Sequence, residues 1–224
     1  MKPLPVGRGA YRYRCNGTTA EVEENWENRL ENGQLHVRSQ RLAHSAGIRL
    51  EVSSIQQASQ FRECNILWSS DSAERQLTIA AHYDFQPDRT VIQVDGPQGT
   101  LHFEEPAEDS LFAPLMRIYT GQLITGLVEA GGSARVLVPW IRSPQDIERL
   151  LTPDYSDRQT DAGKPTVLHL DGQDLPCREF NYHGGEYQPG TRFWVDDAGV
   201  LLRYCWQQDP ETFWEVDLVD YKPG

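Results

Sequence analysis

Residues 190–221, GTRFWVDDAGVLLRYCWQQDPETFWEVDLVDY, alternate apolar and polar side chains at a period of two. That rhythm belongs to strands with one buried face and one wet face. Val200, Leu202, Tyr204 and Trp206 share one face of a strand. Trp214, Val216 and Leu218 share one face of the next, leaving Glu215 and Asp217 on the other. Asp197-Ala198-Gly199 supplies a residue that tolerates positive φ in a short hairpin. Pro210 interrupts the ladder between the last two runs. Three consecutive antiparallel strands follow from this segment alone.

The same alternation recurs upstream. Val22, Trp26 and Leu30 fall in one phase, and Asn32-Gly33 signals a type I′ turn before Leu35 and Val37. Ile48, Leu50 and Val52 alternate with Arg49, Glu51 and Ser53, and Leu77, Ile79, Ala81 and Tyr83 alternate with polar neighbours. Further turns are expected at Asn16-Gly17, at Asp71 to Ala73, at residues 96–99 and at Asp171-Gly172. The rhythm changes only between Ser110 and Ala130, where Leu111, Leu115, Ile118, Leu123, Leu127 and their neighbours are spaced by three and four. That spacing predicts a helix, capped by Asp109 or Ser110 and ended by Gly131-Gly132. Gly121 and Gly126 weigh against it, and a pair of strands is the competing reading. Val136 to Ile141 is apolar in both phases, so that strand is expected to be covered on both sides. Asp146 to Asp161 shows no regular pattern.

No long linker interrupts the chain, and residues 1–224 read as one domain. The fold class is mainly β: a single antiparallel β-roll or half-barrel of about eleven strands, with one central helix covering the concave side.

The charge of −12 disfavours phosphate backbones and anionic membrane surfaces, so no nucleic-acid partner is expected. No apolar run reaches the ~20 residues of a spanning helix, and the first residues lack the apolar core of a secretory signal. A cytoplasmic protein is the expectation, unless a leader has been lost. Cys15, Cys64, Cys177 and Cys205 are far apart and form no Cys-x-x-Cys pair, so four reduced thiols in the core are expected.

No nucleophile elbow, phosphate loop or dinucleotide fingerprint is present. His82 with Asp84, and His102 with Glu104, place a histidine and a carboxylate on one strand face, a spacing more common in solvated faces than in metal sites. His183 and Glu186 occupy a turn-like stretch. No catalytic residue, metal ligand or cofactor is assigned. The aromatic cluster of the second half either packs the core or lines a ligand cavity. In the second case Trp140, Trp194 and Tyr204 form walls, while Arg117, Arg142 and Arg192 orient the ligand.

Pro114-Leu115-Met116-Arg117-Ile118, then Val138-Pro139-Trp140-Ile141, then Phe193-Trp194-Val195-Asp196-Asp197-Ala198-Gly199-Val200 resembles the bacterial family named for glycolipid binding. The resemblance covers the second half of the chain. It implies a spiral antiparallel β-roll, and it is similar to the open half-barrels of lipoprotein carriers, which hold an acyl chain beneath a helix. The expected function is therefore non-catalytic binding of a hydrophobic or glycolipid-like small molecule. The alternatives are an enzyme on a small or sugar-like substrate, with Asp196, Asp197 and His183 nearby, and a scaffold without a ligand. Oligomeric state is not readable from the sequence.

Overall fold

A computed structural model describes residues 3–72, 75–107 and 110–224. The first half of the chain is a meander: β1 (Gly7–Cys15), β2 (Thr18–Glu31), β3 (Gln34–Ala43), β4 (Ile48–Gln57), β5 (Gln60–Ser72), β6 (Arg75–Phe85), β7 (Arg89–Gly96) and β8 (Gly99–Pro106). Then come β9 (Leu111–Phe112), a 3₁₀ turn at Arg117–Tyr119, α1 (Thr120–Glu129) and β10 (Ser133–Pro139). The chain ends with β11 (Pro153–Thr160), β12 (Lys164–Leu170), β13 (Gln173–Gly184), β14 (Tyr187–Val195), β15 (Leu201–Asp209) and β16 (Thr212–Pro223).

All sixteen strands belong to one sheet, ordered β8-β7-β6-β5-β4-β3-β2-β1-β16-β15-β14-β13-β11-β10-β9, with β12 branching from β13. The pairing of β1 with β16 joins the two meanders into one long open sheet. Among the described residues sixteen strands replace the expected eleven or so. Two of the additional strands carry no apolar alternation: β9 has only two residues, and β11 buries Arg158 and Thr160 rather than hydrophobic side chains. The hairpin turns follow the residue types closely. Asn16-Gly17, Asn32-Gly33 and Asp171-Gly172 each place both residues at positive φ, as a type I′ turn demands. The expected turn at Asp71 to Ala73 and the Asp109 cap extend outside the described residues.

The helix is shorter than its apolar spacing predicts. Leu111 and Phe112 pair in parallel with Val136 and Leu137, Pro114 follows, and Leu115 adopts a left-handed φ of 66°. Helical structure therefore starts only at Arg117, and Ser110 caps nothing. Gly131 and Gly132, both at positive φ, end the helix as expected. Gly121 has a packing reason: a Cβ there would lie 2.1 Å from the Gly199 carbonyl oxygen. α1 thus seats directly on the β14–β15 hairpin.

The sheet curls around α1 and the irregular segments on either side of it. Tyr119 meets Ser54 Oγ at 2.9 Å, the Gln122 and Gln56 amides exchange hydrogen bonds of 3.1 Å, and Tyr83 donates to the Leu151 carbonyl at 3.0 Å. Phe61, Tyr83, Phe85, Phe112 and Tyr119 form one aromatic cluster beneath the first meander. Val136 and Leu137 are buried on opposite faces of β10, in line with its doubly apolar sequence. All four cysteines are free, three of them buried and Cys15 half-buried. Among the described residues no helix is long and apolar enough to cross a membrane.

The last strand departs from the sequence reading on both faces. Asp217 is buried, because Arg14 and Arg203 close over it with ion pairs. Trp214 is only half-buried, and its Nε1 donates to the Gln208 side chain at 2.8 Å.

Candidate functional site

The strap between β9 and α1 is held down by two charged residues of the sheet. Val22, Glu24 and Trp26 share one phase of β2, and Val37, Ser39 and Arg41 share one phase of β3, so Glu24 and Arg41 point inward with the apolar side chains. Glu24 is fully buried. Its Oε2 accepts from Tyr13 OH at 2.5 Å and from Arg41 Nε at 2.7 Å, and its Oε1 accepts from the Arg117 backbone N–H at 2.6 Å. Arg41 also donates to the Leu115 carbonyl at 2.9 Å. One buried ion pair therefore fixes both the left-handed Leu115 and the start of the 3₁₀ turn. Burial raises the Tyr13 phenol well above its ordinary range, with Arg41 opposing the rise, so Tyr13 stays a neutral donor to Glu24.

Beneath this strap lies a chamber of about 150 Å³. Its apolar wall consists of Leu115, Met116, Leu123, Val138, Ile141 and Phe193. Its polar wall consists of Arg41, Arg117, Arg158, Glu186, Tyr182 and Tyr187. Arg158 is almost wholly buried and fully engaged: it donates to Ser156 Oγ, the Gly184 carbonyl and Glu186, and it lies over the Tyr187 ring. Burial holds the Tyr182 phenol well above its usual range, with Arg158 opposing the rise. Arg117 lies 4.5 Å over the Tyr204 ring and donates to Tyr187 OH at 2.9 Å. Five residues (Leu115, Val138, Ile141, Arg158 and Glu186) also line a neighbouring trough of about 370 Å³, which adds Pro139, Trp140, Arg142, Asp154, Trp206 and Gln208.

Of the residues expected from sequence, Arg117 lines the chamber, and Trp140 and Arg142 line the trough. Trp140 is buried under the Arg149 guanidinium, and Arg142 is exposed and paired to Asp154 at 2.9 Å. Tyr204 is buried behind the chamber, stacked on Phe193, and supports Arg117 rather than forming a wall. Arg192 and Trp194 lie elsewhere. Phe193 faces the chamber, so its neighbours in β14 face the other side of the sheet. There Arg192 sits over Trp194 and pairs with Glu179 at 3.4 Å.

Sequence reasoning passed over Glu24, Arg41, Arg158, Tyr182 and Tyr187, and noted Glu186 only as part of a turn-like stretch. For Glu24 and Arg41 a signal exists, since each is a charge in the apolar phase of an alternating strand. For Arg158 there is none, because β11 lacks an apolar phase to violate.

The features expected of an enzyme do not converge. His183 Nε2 donates to Gln159 Oε1 at 3.0 Å on the surface, and Asp196 Oδ1 accepts the Val200 N–H at 2.8 Å inside its own hairpin. Among the described residues no group of three His, Cys, Asp or Glu side chains is placed to hold a metal ion.

No family model matches the chain, and no curated protein matches it. The resemblance to the glycolipid-binding family is therefore without support from a family match. The fold does match a solved structure. A β-barrel-like protein of the domain of unknown function DUF1849 from Brucella abortus superposes with a TM-score of 0.61 at 11% identity, over 100% of both chains. The hypothetical lipoprotein YmcC from Escherichia coli K12 matches over 100% of this chain and 90% of its own, at 10% identity and a TM-score of 0.32. At such identities the likeness to the DUF1849 protein concerns architecture alone: the chain has a β-barrel-like fold.

Proposed function

We propose that this protein binds a small lipophilic molecule, without catalysis, in the chamber beneath the strap and along the adjoining trough. The observation that carries the reading is the chamber itself. The chamber is a half-open pocket roofed by the strap, with buried and half-buried side chains around it. A cavity near 150 Å³ accommodates a benzene-sized group. Apolar side chains form one wall, a few fixed polar groups form the other, and the trough opens beside it, the usual design of a small-molecule site. Trp140 and the half-buried Trp206 contribute to the lining of the trough.

The test uses N-phenyl-1-naphthylamine, an uncharged dye that brightens in apolar surroundings. The expected result is saturable binding at one site, weakened by Trp140→Ala and unchanged by Trp194→Ala, whose side chain lies on the other face of the sheet. Absence of saturation, or equal loss in both variants, refutes the reading.

A further inference from the structure

The charges around the chamber do not balance. Three guanidiniums, those of Arg41, Arg117 and Arg158, surround it, and two carboxylates answer them. Glu24 is taken by Arg41, and Glu186 by Arg158. Glu24 does touch Arg117, but through the backbone N–H rather than the guanidinium. Among the described residues no carboxylate lies within ion-pair distance of the Arg117 side chain. Its partners are the hydroxyl of Tyr187 and the aromatic face of Tyr204. The Arg117 Nε is buried and has no hydrogen-bond acceptor.

This arrangement is costly for folding alone. A guanidinium cannot shed its proton at physiological pH. The residue is half-buried, so part of the guanidinium keeps its water, but the buried Nε has lost its solvation with no hydrogen bond in return. Two neighbouring arginines in the same chamber are paired to carboxylates, whereas Arg117 feels only the longer-range field of Glu24, which Arg41 already holds. The protein as a whole carries −12, which makes a local positive excess the more specific.

We infer that the chamber receives the head of an amphiphile bearing one anionic group, a carboxylate or a phosphate, with Arg117 as its receptor. The inference rests on the binding reading above and narrows its ligand class. The planar fork of Arg117 suits two oxygens of either group, and Tyr187 and Tyr204 hold that fork in place. The apolar portion of the ligand packs against Leu115, Val138 and Ile141, the residues common to chamber and trough.

The experiment is displacement of N-phenyl-1-naphthylamine by three eight-carbon probes: octanoate, octyl phosphate and octan-1-ol. In the wild-type protein, octanoate or octyl phosphate is expected to displace the dye at a concentration about ten- to a hundredfold below that of the alcohol, the range of a charge-assisted hydrogen bond. Whichever anion is the stronger identifies the head group. In Arg117→Met the acid-to-alcohol preference should disappear, and in Arg117→Lys it should persist in part. The wild-type comparison stands on its own if Arg117→Met fails to fold. Octan-1-ol displacing as well as both anions overturns the anionic head while leaving the lipophilic site intact. Arg117→Met that folds and keeps the preference overturns the role of Arg117. Dye that never binds removes the site and this inference together.

Discussion

Glu24→Gln isolates the contribution of the ion pair that holds the strap. The substitution keeps the shape of the side chain and one acceptor oxygen, but it removes the charge facing Arg41 and turns one acceptor into a donor. That donor then opposes either the Arg41 guanidinium and Tyr13 OH, or the Arg117 N–H. Breaking a buried pair by removing one partner costs about 3–5 kcal/mol. Glu24 is fully buried, but the Arg41 side chain is 21% exposed, so water solvates part of the charge left behind. The expected loss therefore lies at the low end, about 3 kcal/mol. For a domain of this size that corresponds to a fall in Tm of about 6–12 °C. Thermal melts followed by far-ultraviolet circular dichroism at neutral pH measure it. Arg41→Gln should cost a similar amount. The double variant should lose less than the sum of the two, because it leaves no unpaired charge. A Glu24→Gln protein melting within about 2 °C of wild type, or strict additivity in the double variant, would refute the claim that this pair fixes the strap.

Gly121→Ala should destabilise the protein by at least about 1–3 kcal/mol in urea unfolding, since the added methyl meets the rigid Gly199 carbonyl rather than a flexible side chain. Trp68→Ala, at a fully buried site, should cost about 3–5 kcal/mol, and Trp214→Ala distinctly less, because Trp214 is half-buried; equal urea midpoints would contradict that difference. Burial raises the Asp196 carboxyl above its ordinary value, against the pull of the Val200 N–H. The folded state therefore holds that proton more tightly than the unfolded chain, and stability falls as pH rises from the ordinary carboxylate pKa through the raised folded value. Asp196→Asn should flatten this part of the stability–pH curve, and an unchanged slope would show that other groups set it.

The fold was legible wherever one face of a strand meets the core and the other meets water. Leu77, Ile79, Ala81 and Tyr83 illustrate this, as does the Asn32-Gly33 turn, whose residue types match the backbone they adopt. Legibility ended where polar side chains are buried. In β11 the inward positions are Arg158 and Thr160, and in β16 the supposedly wet Asp217 is covered by Arg14 and Arg203. Periodicity marks a buried charge only as an exception to an apolar phase, as at Glu24 and Arg41, and β11 has no apolar phase for Arg158 to violate. The aromatic residues of the second half were visible as a group, but one position along β14 separates Phe193, at the chamber, from Trp194, on the opposite face. A period-two strand turns such a one-residue distinction into opposite sides of a sheet.

The sequence by itself determined the β class, most hairpins, the helix stop and the double burial of β10, because each depends on near neighbours: residue type at a turn, or the alternation of side chains along one strand. Only the tertiary structure decided that Arg41, Arg117 and Arg158 share one chamber, with Glu24 behind them holding Arg41 and the Arg117 N–H. Those residues come from β2, β3, the strap and β11, elements that are remote in the chain and are brought together by the curl of the sheet. Which of the arginines keeps a counterion, and which is left for a ligand, depends on distances between such elements. No local pattern encodes those distances.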